Sequence, residues 1–402
     1  DTGEDKMLKG ARREHKTVME IAQFYTDAFF EDCRRLNIKT PDVVQPATGC
    51  IDEYIKIISK LMDTGYAYFA GGNVYFDTSK LERYYIFNDF NADDLDVGVR
   101  EGVEEDVNKR NKNDFVLWFT KSKFEDQALK WDSPWGVGYP GWHIECSGIS
   151  MKHLGEDLDI HCGGIDNAFP HHTNEIAQSE CATGCTLANY WMHNGYINVD
   201  NVKMSKSLGN FFTTREVAEK YGYEVIRYMM VQAHYRSPIN YCLELLNSCK
   251  ASLERLYNCR ETLDRAIANA ESGSVSSEAT EIFEKRKGEF IKAMDDDLNT
   301  ADAITAIFEL ARELNKMSAD NTVSKEQLEA GAKLFDELTD VLGILYNRDK
   351  KDEIPQNILE LAEQRKQARK DKNFALADEL RNRIAELGYV IEETRQGTKI
   401  TK

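Results

Sequence analysis

Short β-branched and aromatic runs alternate with a helical pattern between residues 132 and 200, and this alternation constrains the fold more than any other feature. Residues 157–161 have the pattern of a short strand, and residues 169–181 have that of a helix with proline near its start. Two extended runs follow at 190–193 and 196–199. A strand, a crossover helix and a second strand are typical of a parallel sheet, so we predict an α/β fold here.

The rest of the 402-residue chain divides into segments of different pattern, as expected for a length that exceeds one ordinary core. Residues 8–61 have helical spacing of apolar positions. Residues 66–120 contain three short aromatic and β-branched runs, and Gly71-Gly72 separates the first two as a turn. An acidic stretch, 93–106, precedes the third run. From 214 to 345 nearly every segment is helical in pattern, which predicts an α-helical bundle.

Charge and cysteine content exclude several classes of protein. The net charge of -18 argues against a chain that coats nucleic acid through bulk charge, although residues 356–402 carry ten Lys/Arg against eight Asp/Glu. No apolar run approaches the ~20 residues of a membrane span. Nine cysteines show no framework spacing, and Cys181 and Cys185 are predicted to be ordinary thiols. We therefore expect a cytoplasmic protein. Because the chain starts at Asp1 rather than methionine, we also expect upstream residues to be lacking.

A thiol, an imidazole and a carboxylate suggest a metal site. Cys146 lies 25 residues before His171, and Glu175 lies four residues after it. On the predicted helix, His171 and Glu175 share one face. Zinc accepts sulfur, nitrogen and oxygen donors, but a structural zinc site needs a fourth ligand that these residues do not supply. The alternative is a surface His–Glu pair and a core thiol. His172 is predicted to face solvent or to form a hydrogen bond.

The loop Lys203-Met204-Ser205-Lys206-Ser207 suits a polyphosphate, because it places two lysines and two hydroxyls between an extended segment and a helix. Adenylate formation builds negative charge on the leaving pyrophosphate, and ammonium groups held there stabilise the transition state more than the ground state. The alternative is a solvated Lys/Ser loop. A phosphate loop near a metal site indicates an enzyme that activates its substrate with a nucleotide.

Gly164 and Asp166 follow the strand predicted at 157–161. A glycine pair, Gly163-Gly164, allows a tight turn, and the Asp166 carboxylate could hold ribose hydroxyls. This signal is weak when taken alone.

These motifs resemble a known family. The 203–207 loop is similar to the signature loop of class I aminoacyl-tRNA synthetases. Further motifs resemble the cysteinyl-tRNA synthetases specifically, and they cover nearly the whole chain. They are Trp142-His143-Ile144-Glu145-Cys146-Ser147, His161-Cys162-Gly163-Gly164-Ile165-Asp166, Phe169-Pro170-His171-His172, Asn174-Glu175-Ile176-Ala177-Gln178-Ser179, Tyr190-Trp191-Met192-His193-Asn194-Gly195 and Asn373-Phe374-Ala375-Leu376-Ala377-Asp378.

The resemblance implies an α/β, class I Rossmann-type catalytic domain whose N-terminal part is missing, with an inserted α+β connective domain, a helical bundle and a small C-terminal domain. The implied segments are 1–61 and 132–202 for the catalytic domain with its zinc site, 62–131 for the insertion, 203–240 for the signature loop and stem-contact region, 241–350 for the tRNA-binding bundle and 356–402 for anticodon recognition.

The resemblance also implies roles for single residues. Cys146, His171 and Glu175 would bind one zinc ion. The fourth ligand would be a cysteine of the family's N-terminal segment, which, like the His-Ile-Gly-His ATP motif, lies outside these residues. Trp142 and His171 would line the amino-acid pocket.

The nucleotide would be ATP, with Mg²⁺. The implied ATP contacts are Gly164, Asp166, Lys203, Met204, Ser205, Lys206 and Ser207, and Lys203 and Lys206 would be catalytic. Arg369, Asp378 and Glu393 would contact the anticodon, although the family has aspartate where this chain has Glu393.

The function implied is activation of L-cysteine with ATP and its transfer to the 3′ end of tRNA(Cys) by a monomer. Zinc–thiolate binding would select against serine, which pocket shape separates poorly from cysteine. Two alternatives remain: a ligase that joins activated cysteine to an amino-sugar, and a tRNA-binding protein that has lost activation. Pyrophosphate exchange separates the enzymes from the binding protein, and tRNA charging separates the two enzymes.

Overall fold

A computed structural model describes residues 6–87, 106–122, 127–205, 208–348, 355–371, 373–394 and 397–401. The chain forms two compact units, 1–345 and 346–402. The acidic stretch predicted at 93–106 lies outside the described residues except for Asp106, and Lys206 and Ser207 also lie outside them.

The first unit begins with helices, as the apolar spacing of 8–61 predicted. They are α1 (Lys6–Glu14), α2 (Val18–Arg35) and α3 (Ile51–Asp63). A capping box joins Thr17 and Glu20 at the start of α2, which satisfies backbone N–H groups that the helix leaves free. The buried face of α3 consists of Tyr54, Ile58 and Leu61, and it packs in the same core as the sheet that follows.

An antiparallel sheet then forms from the three predicted runs and one further pair of residues. Its strands, in spatial order, are β1 (Ala67–Ala70), β2 (Asn73–Phe76), β3 (Phe115–Phe119) and β4 (Tyr139–Pro140). Gly71 and Gly72 have φ of +58° and +97°, the left-handed region that a two-residue hairpin turn requires. Trp118, Tyr75 and Phe76 are fully buried in the sheet.

The predicted strand–helix–strand unit is confirmed. It comprises α4 (Trp142–Leu154), β5 (Leu158–Gly164), α5 (Thr173–Thr183) and β6 (Ala188–Asn194), with β5 and β6 parallel. The helix start predicted at Phe169-Pro170 is wrong, because α5 begins only at Thr173. Phe169, directly before a proline, is extended (φ -136°, ψ 133°), and residues 168–172 form a wide turn instead.

A small sheet and the bundle complete this unit. Strands β7 (Ile197–Val199), β8 (Val202–Lys203) and β9 (Ile239–Tyr241) pair in the order β8-β7-β9. The helices are α6 (Thr214–Tyr221), α7 (Tyr223–Val231), α8 (Leu243–Asn269), α9 (Ser277–Asp295), α10 (Thr300–Ala319) and α11 (Lys325–Leu342). One continuous core runs from Val225 to Leu345 across these helices, as expected for a bundle.

The second unit is a helical pair with a hairpin. Its elements are α12 (Gln356–Lys370), α13 (Phe374–Glu386), β10 (Val390–Thr394) and β11 (Gly397–Thr401). Ile358, Ala362, Ile384 and Ile391 form its core. Among the helices described in either unit, none is both long and apolar enough to cross a membrane.

Candidate active site

Three separate elements bring the predicted metal donors together. Cys146 lies on α4, His171 lies in the wide turn before α5, and Glu175 lies on the first turn of α5. One ligand atom from each lies within 4.8 Å of the others. Cys146 is half-buried, whereas His171 and Glu175 are 4% and 0% exposed. The surface-pair alternative therefore does not describe this site.

The Glu175 carboxylate shows that this donor set fits a cation. Both of its oxygens are buried, and neither has a hydrogen bond of acceptable geometry among the described residues. The nearest basic atoms are His161 Nε2, 3.2 Å from Oε2, and His171 Nε2, 3.8 Å from Oε1. Because an isolated buried carboxylate is costly, a positive charge beside thiol, imidazole and carboxylate would stabilise it.

Imidazole pairs surround these donors. His143 Nδ1 lies 2.9 Å from His171 Nδ1, and His172 Nδ1 lies 2.8 Å from His193 Nε2. With His161, five of the chain's eight histidines gather here. Since Nδ1 of His171 is engaged with His143, its Nε2 is left to face the carboxylate and the thiol.

Burial sets the protonation of these groups. It raises the pKa of the Cys146 thiol to about 12, with Glu175 and Glu145 adding to the effect. It lowers the pKa of His143 and of His172 to about 3. The imidazoles are therefore neutral near pH 7 and can act as ligands, while the thiol keeps its proton until a cation displaces it. Burial also raises the pKa of Glu145 to about 7.

The backbone of β5 lies against the imidazole cluster. A Cβ on Gly163 would lie 2.5 Å from Cε1 of His172, so only glycine permits this approach. In the parallel register Gly163 lies opposite His193, which places His193 beside His172. This explains why His172 is buried and hydrogen-bonded: the prediction of a hydrogen bond is confirmed, and that of solvent exposure is wrong.

Two further side chains of this region complete the pocket. Trp142, the first residue of α4, is 58% exposed, and its ring centroid lies 4.1 Å from that of His171. It packs on one of the three donors and leaves much of its own surface available to a ligand. Gln178 is fully buried and donates to the carbonyl of His143 and to Ser147 Oγ, both at 2.7 Å, so it ties α5 to α4.

The predicted nucleotide residues lie at the carboxyl end of β5 and on the following loop. Gly164 ends β5, and Asp166 follows it in a short turn. Lys203 Nζ lies 3.1 Å from Asp166 Oδ2 and 4.2 Å from the centroid of the Tyr196 ring. Lys203 and Asp166 are half exposed, at 50% and 53% of their side-chain surface. The structure thus brings the predicted ribose residue Asp166 and the predicted phosphate residue Lys203 together.

Asn210 orders the described part of the signature loop. Its Oδ1 accepts from the Ser205 N–H at 2.9 Å, and its Nδ2 donates to the Lys203 carbonyl at 3.3 Å. Ser205 Oγ accepts from the Leu208 N–H at 3.2 Å. Met204 donates its N–H to Ile197 at 2.9 Å, which holds the loop's start against β7.

The predicted anticodon residues all lie in the second unit. Arg369 is exposed near the end of α12, and Asp378 is exposed on α13. Glu393 pairs with Thr398 in the β10–β11 hairpin, and its side chain lies outside the described residues.

Sequence spacing missed His143, His161 and His193 as members of the site. Each stands in one of the short motifs quoted above, but they come from α4, β5 and β6, so no single motif shows that they lie together. The strand–helix–strand pattern was the available signal, because residues on neighbouring parallel strands meet across the sheet.

Family models match most of the chain. The model described as "tRNA synthetases class I (C) catalytic domain" matches residues 2–251, the "DALR domain" matches 289–346, and the "Cysteinyl-tRNA ligase anticodon binding domain" matches 351–400. Methionyl-tRNA synthetase of Mycobacterium tuberculosis, bound by methionyl-adenylate, has the same fold at a TM-score of 0.60 and 14% identity, over 86% of this chain and 83% of that one. The first unit is therefore a class I aminoacyl-tRNA synthetase catalytic domain of Rossmann-like fold, followed by helices.

Curated relatives identify the family within this class. The cysteine–tRNA ligase of Caldicellulosiruptor saccharolyticus is 47% identical over 99% of this chain and 85% of its own length, and that of Clostridioides difficile is 44% identical over 98% and 84%. The chain belongs to the cysteine–tRNA ligase family. It is an enzyme that joins cysteine to tRNA with ATP and releases AMP and pyrophosphate, and the anticodon-binding match disfavours an amino-sugar acceptor.

Proposed function

We propose that Cys146, His171 and Glu175 hold one zinc ion and that this site selects L-cysteine over serine during activation. The observation that carries the proposal is Glu175, a fully buried carboxylate whose oxygens have no hydrogen bond of acceptable geometry among the described residues and which lies within 4.8 Å of the Cys146 and His171 ligand atoms. Zinc, when bound, supplies a Lewis acid that favours thiolate sulfur over a neutral hydroxyl. A tetrahedral site would need further donors beyond these three.

The protein's own groups would prepare the site for cysteine. His143 orients His171 through their Nδ1 atoms, so that Nε2 remains available for a ligand. Trp142 would cover the bound amino acid, because its exposed ring already lies against His171. Selection by sulfur affinity would need no editing site, since serine lacks the favoured donor.

ATP would bind where β5 ends. The Gly164 backbone and the Asp166 carboxylate would contact the adenosine, and the loop of Lys203, Met204, Ser205, Lys206 and Ser207 would contact the phosphates together with Mg²⁺. Lys203 lies within 3.1 Å of Asp166, which supports one common site for ribose and phosphate. Lys203 and Lys206 would stabilise the charge that builds on pyrophosphate, and positioning rather than a covalent nucleophile would carry the step.

The acceptor would be tRNA(Cys), held by the bundle within 241–350 and read by the segment 356–402. Arg369, Asp378 and Glu393 would hydrogen-bond anticodon bases, because guanidinium and carboxylate groups suit the edges of unstacked bases. The matched anticodon-binding model and the +2 charge of 356–402 support this assignment. A cytoplasmic location is proposed, since all nine cysteines are free thiols, and a monomer is proposed as its state.

The test measures bound zinc together with cysteine-dependent ATP–pyrophosphate exchange on the purified chain, with serine as the control. The expected result is about one zinc per chain and exchange with cysteine alone. Exchange that is equal for cysteine and serine, or that persists without any metal, would overturn zinc selection while leaving the family assignment intact.

A further inference from the structure

An aromatic segment from the inserted region contacts the amino-acid site from outside. After β2 and a short turn at 78–80, residues 81–87 run without helix or strand toward β6 and α5. Tyr84, Tyr85 and Phe87 of this segment are half-buried, and Ile86 is exposed. None of the proposed metal ligands or nucleotide-binding residues lies in this segment.

Tyr84 is linked to the helix that carries Glu175. Its hydroxyl donates to Asn174 Oδ1, and its ring meets Phe169 edge-on at 6.3 Å between centroids. Asn174 is 2% exposed and directly precedes Glu175, and Phe169 belongs to the wide turn that contains His171. Burial raises the pKa of Tyr84 well above its usual value, so the hydroxyl stays protonated and can donate.

Phe87 is linked to the imidazole cluster. Its ring centroid lies 5.0 Å from that of Trp191 and 5.1 Å from that of His193, both in edge-on contact. His193 Nε2 lies 2.8 Å from His172 Nδ1. The apolar Phe87 ring therefore packs against one member of this imidazole pair. Phe87 and Trp191 also pack on the small core of Leu158, Ile176, Leu187 and Ala188.

We propose that Tyr84 and Phe87 are positioning residues for the amino-acid site: the inserted segment fixes the first turn of α5 and the His172–His193 pair in the geometry that binds cysteine. The inference rests on the proposed metal site. It deepens that proposal by making amino-acid affinity depend on residues that touch neither the metal donors nor the nucleotide residues.

The chain offers a matched control within the same segment. Tyr85 also packs its ring on Phe169, at 5.6 Å, but its hydroxyl accepts a hydrogen bond from Asn113 of the insertion and not from α5. Tyr84→Phe and Tyr85→Phe therefore remove one hydroxyl each from neighbouring tyrosines, and only the first breaks a link to the site. Phe87→Leu and Ile86→Leu form a second matched pair. Phe87 is half-buried against the site, whereas Ile86 is exposed and serves as the control.

The experiment titrates cysteine into the cobalt-substituted full chain, follows the visible absorption, and measures KM values in pyrophosphate exchange. Loss of the Tyr84 hydrogen bond is expected to weaken cysteine binding about three- to tenfold, and Phe87→Leu about twofold to fivefold. The control variants should stay within about twofold of wild type, and KM for ATP should not change in any variant.

Equal cysteine affinity for Tyr84→Phe, Tyr85→Phe and the wild-type chain would overturn the inference. A parallel rise of KM for cysteine and for ATP would also overturn it, because that pattern indicates a general loss of structure. Failure of the metal assignment is seen separately, in the wild-type chain, as absence of cobalt–thiolate absorption, and it would remove the basis of the inference as well.

Discussion

The proposed amino-acid pocket and the proposed phosphate loop lie in the same catalytic domain but differ in how deeply their side chains are buried. In the pocket, His171, His172 and Glu175 are at most 4% exposed and are held by imidazole pairs and by α5. In the loop, the Lys203–Asp166 ion pair is about half exposed on both sides. Selection between near-isosteric amino acids requires ligand atoms held in a fixed position. Phosphates can instead be bound by lysine side chains, whose flexible stems adjust when the ligand binds.

This difference has an energetic consequence. Interactions within the pocket are shielded from solvent, so salt screens them little. The exposed Lys203–Asp166 pair is worth about 0–1 kcal/mol and weakens further with salt. Metal and cysteine binding should therefore depend weakly on ionic strength, while the nucleotide step should depend on it more strongly. The following variants test the contrast, from the largest expected effect to the smallest.

Replacing Glu175 by glutamine should abolish metal binding and, with it, efficient activation of cysteine. The change keeps the size of the side chain and removes its charge, so the metal loses an anionic ligand within the buried site. We expect a metal content near zero and a loss of roughly hundredfold or more in kcat/KM for cysteine. Metal analysis and pyrophosphate exchange measure both quantities. Glu156→Gln, at an exposed carboxylate, is the control, and a Glu175→Gln variant that keeps its zinc would contradict the assignment.

Removing the Lys203 ammonium should affect the chemical step and not the metal. We expect Lys203→Ala to lower kcat of exchange roughly 10- to 100-fold, because the charge that develops on pyrophosphate loses a partner. Zinc content and KM for cysteine should stay close to those of wild type. Lys56→Ala, at an exposed position on α3, controls for lost surface charge. Loss of zinc from Lys203→Ala would contradict the view that the metal site and the phosphate loop act independently.

Zinc affinity should rise with pH, because the Cys146 thiol must lose its proton. Its pKa without metal is about 12, so the proton competes with the metal throughout the neutral range. Burial lowers the pKa of His171, which favours the neutral imidazole that a metal requires. The association constant should increase about tenfold per pH unit between about pH 7.5 and 8.5, above the pKa of about 7 that burial gives the neighbouring Glu145.

Chelator competition at several pH values measures this slope. Cys146→Ala should lower the slope by one, because one proton fewer is released for each metal ion bound. Cys162→Ala, at an exposed thiol, should leave the slope unchanged. The same slope in both variants would show that another group supplies the proton.

The smallest effects concern stability. Asp166→Asn breaks the exposed pair and should change the free energy of unfolding by less than about 1 kcal/mol. Gln178→Leu removes two buried hydrogen bonds to α4 and should cost about 2–3 kcal/mol. Urea denaturation of both variants measures the difference. If Asp166→Asn lowered the free energy of unfolding more than Gln178→Leu, the exposed ion pair would stabilise the fold more than the buried hydrogen bonds, which contradicts the contrast between exposed loop and buried pocket.

The sequence predicted most of the local structure, because apolar periodicity depends on neighbouring residues alone. Strands β1, β2 and β3, the crossover unit and the bundle helices follow the predicted patterns. The start of α5 was placed three to four residues too early, since Phe169 before Pro170 breaks the helix and a wide turn precedes Thr173. A pattern of residue types does not indicate how a turn closes.

The site itself was predictable only in part. Cys146, His171 and Glu175 were found from donor chemistry and spacing, and the structure places them together. His161 and His193 join them through the register of β5 and β6, which is a property of the folded sheet. Tyr84 and Phe87 come from the region predicted to be an insertion, far away in sequence, so no local motif could connect them to α5.

The most direct test of the central claim is calorimetric binding of cysteine and of serine to the zinc-loaded and the metal-stripped chain. The account predicts measurable binding only for cysteine with the zinc-loaded chain, and affinity at least about a hundredfold weaker in the other three combinations. Equal affinity of the metal-stripped chain for cysteine, or equal affinity of the loaded chain for serine, would contradict selection by the buried donor set.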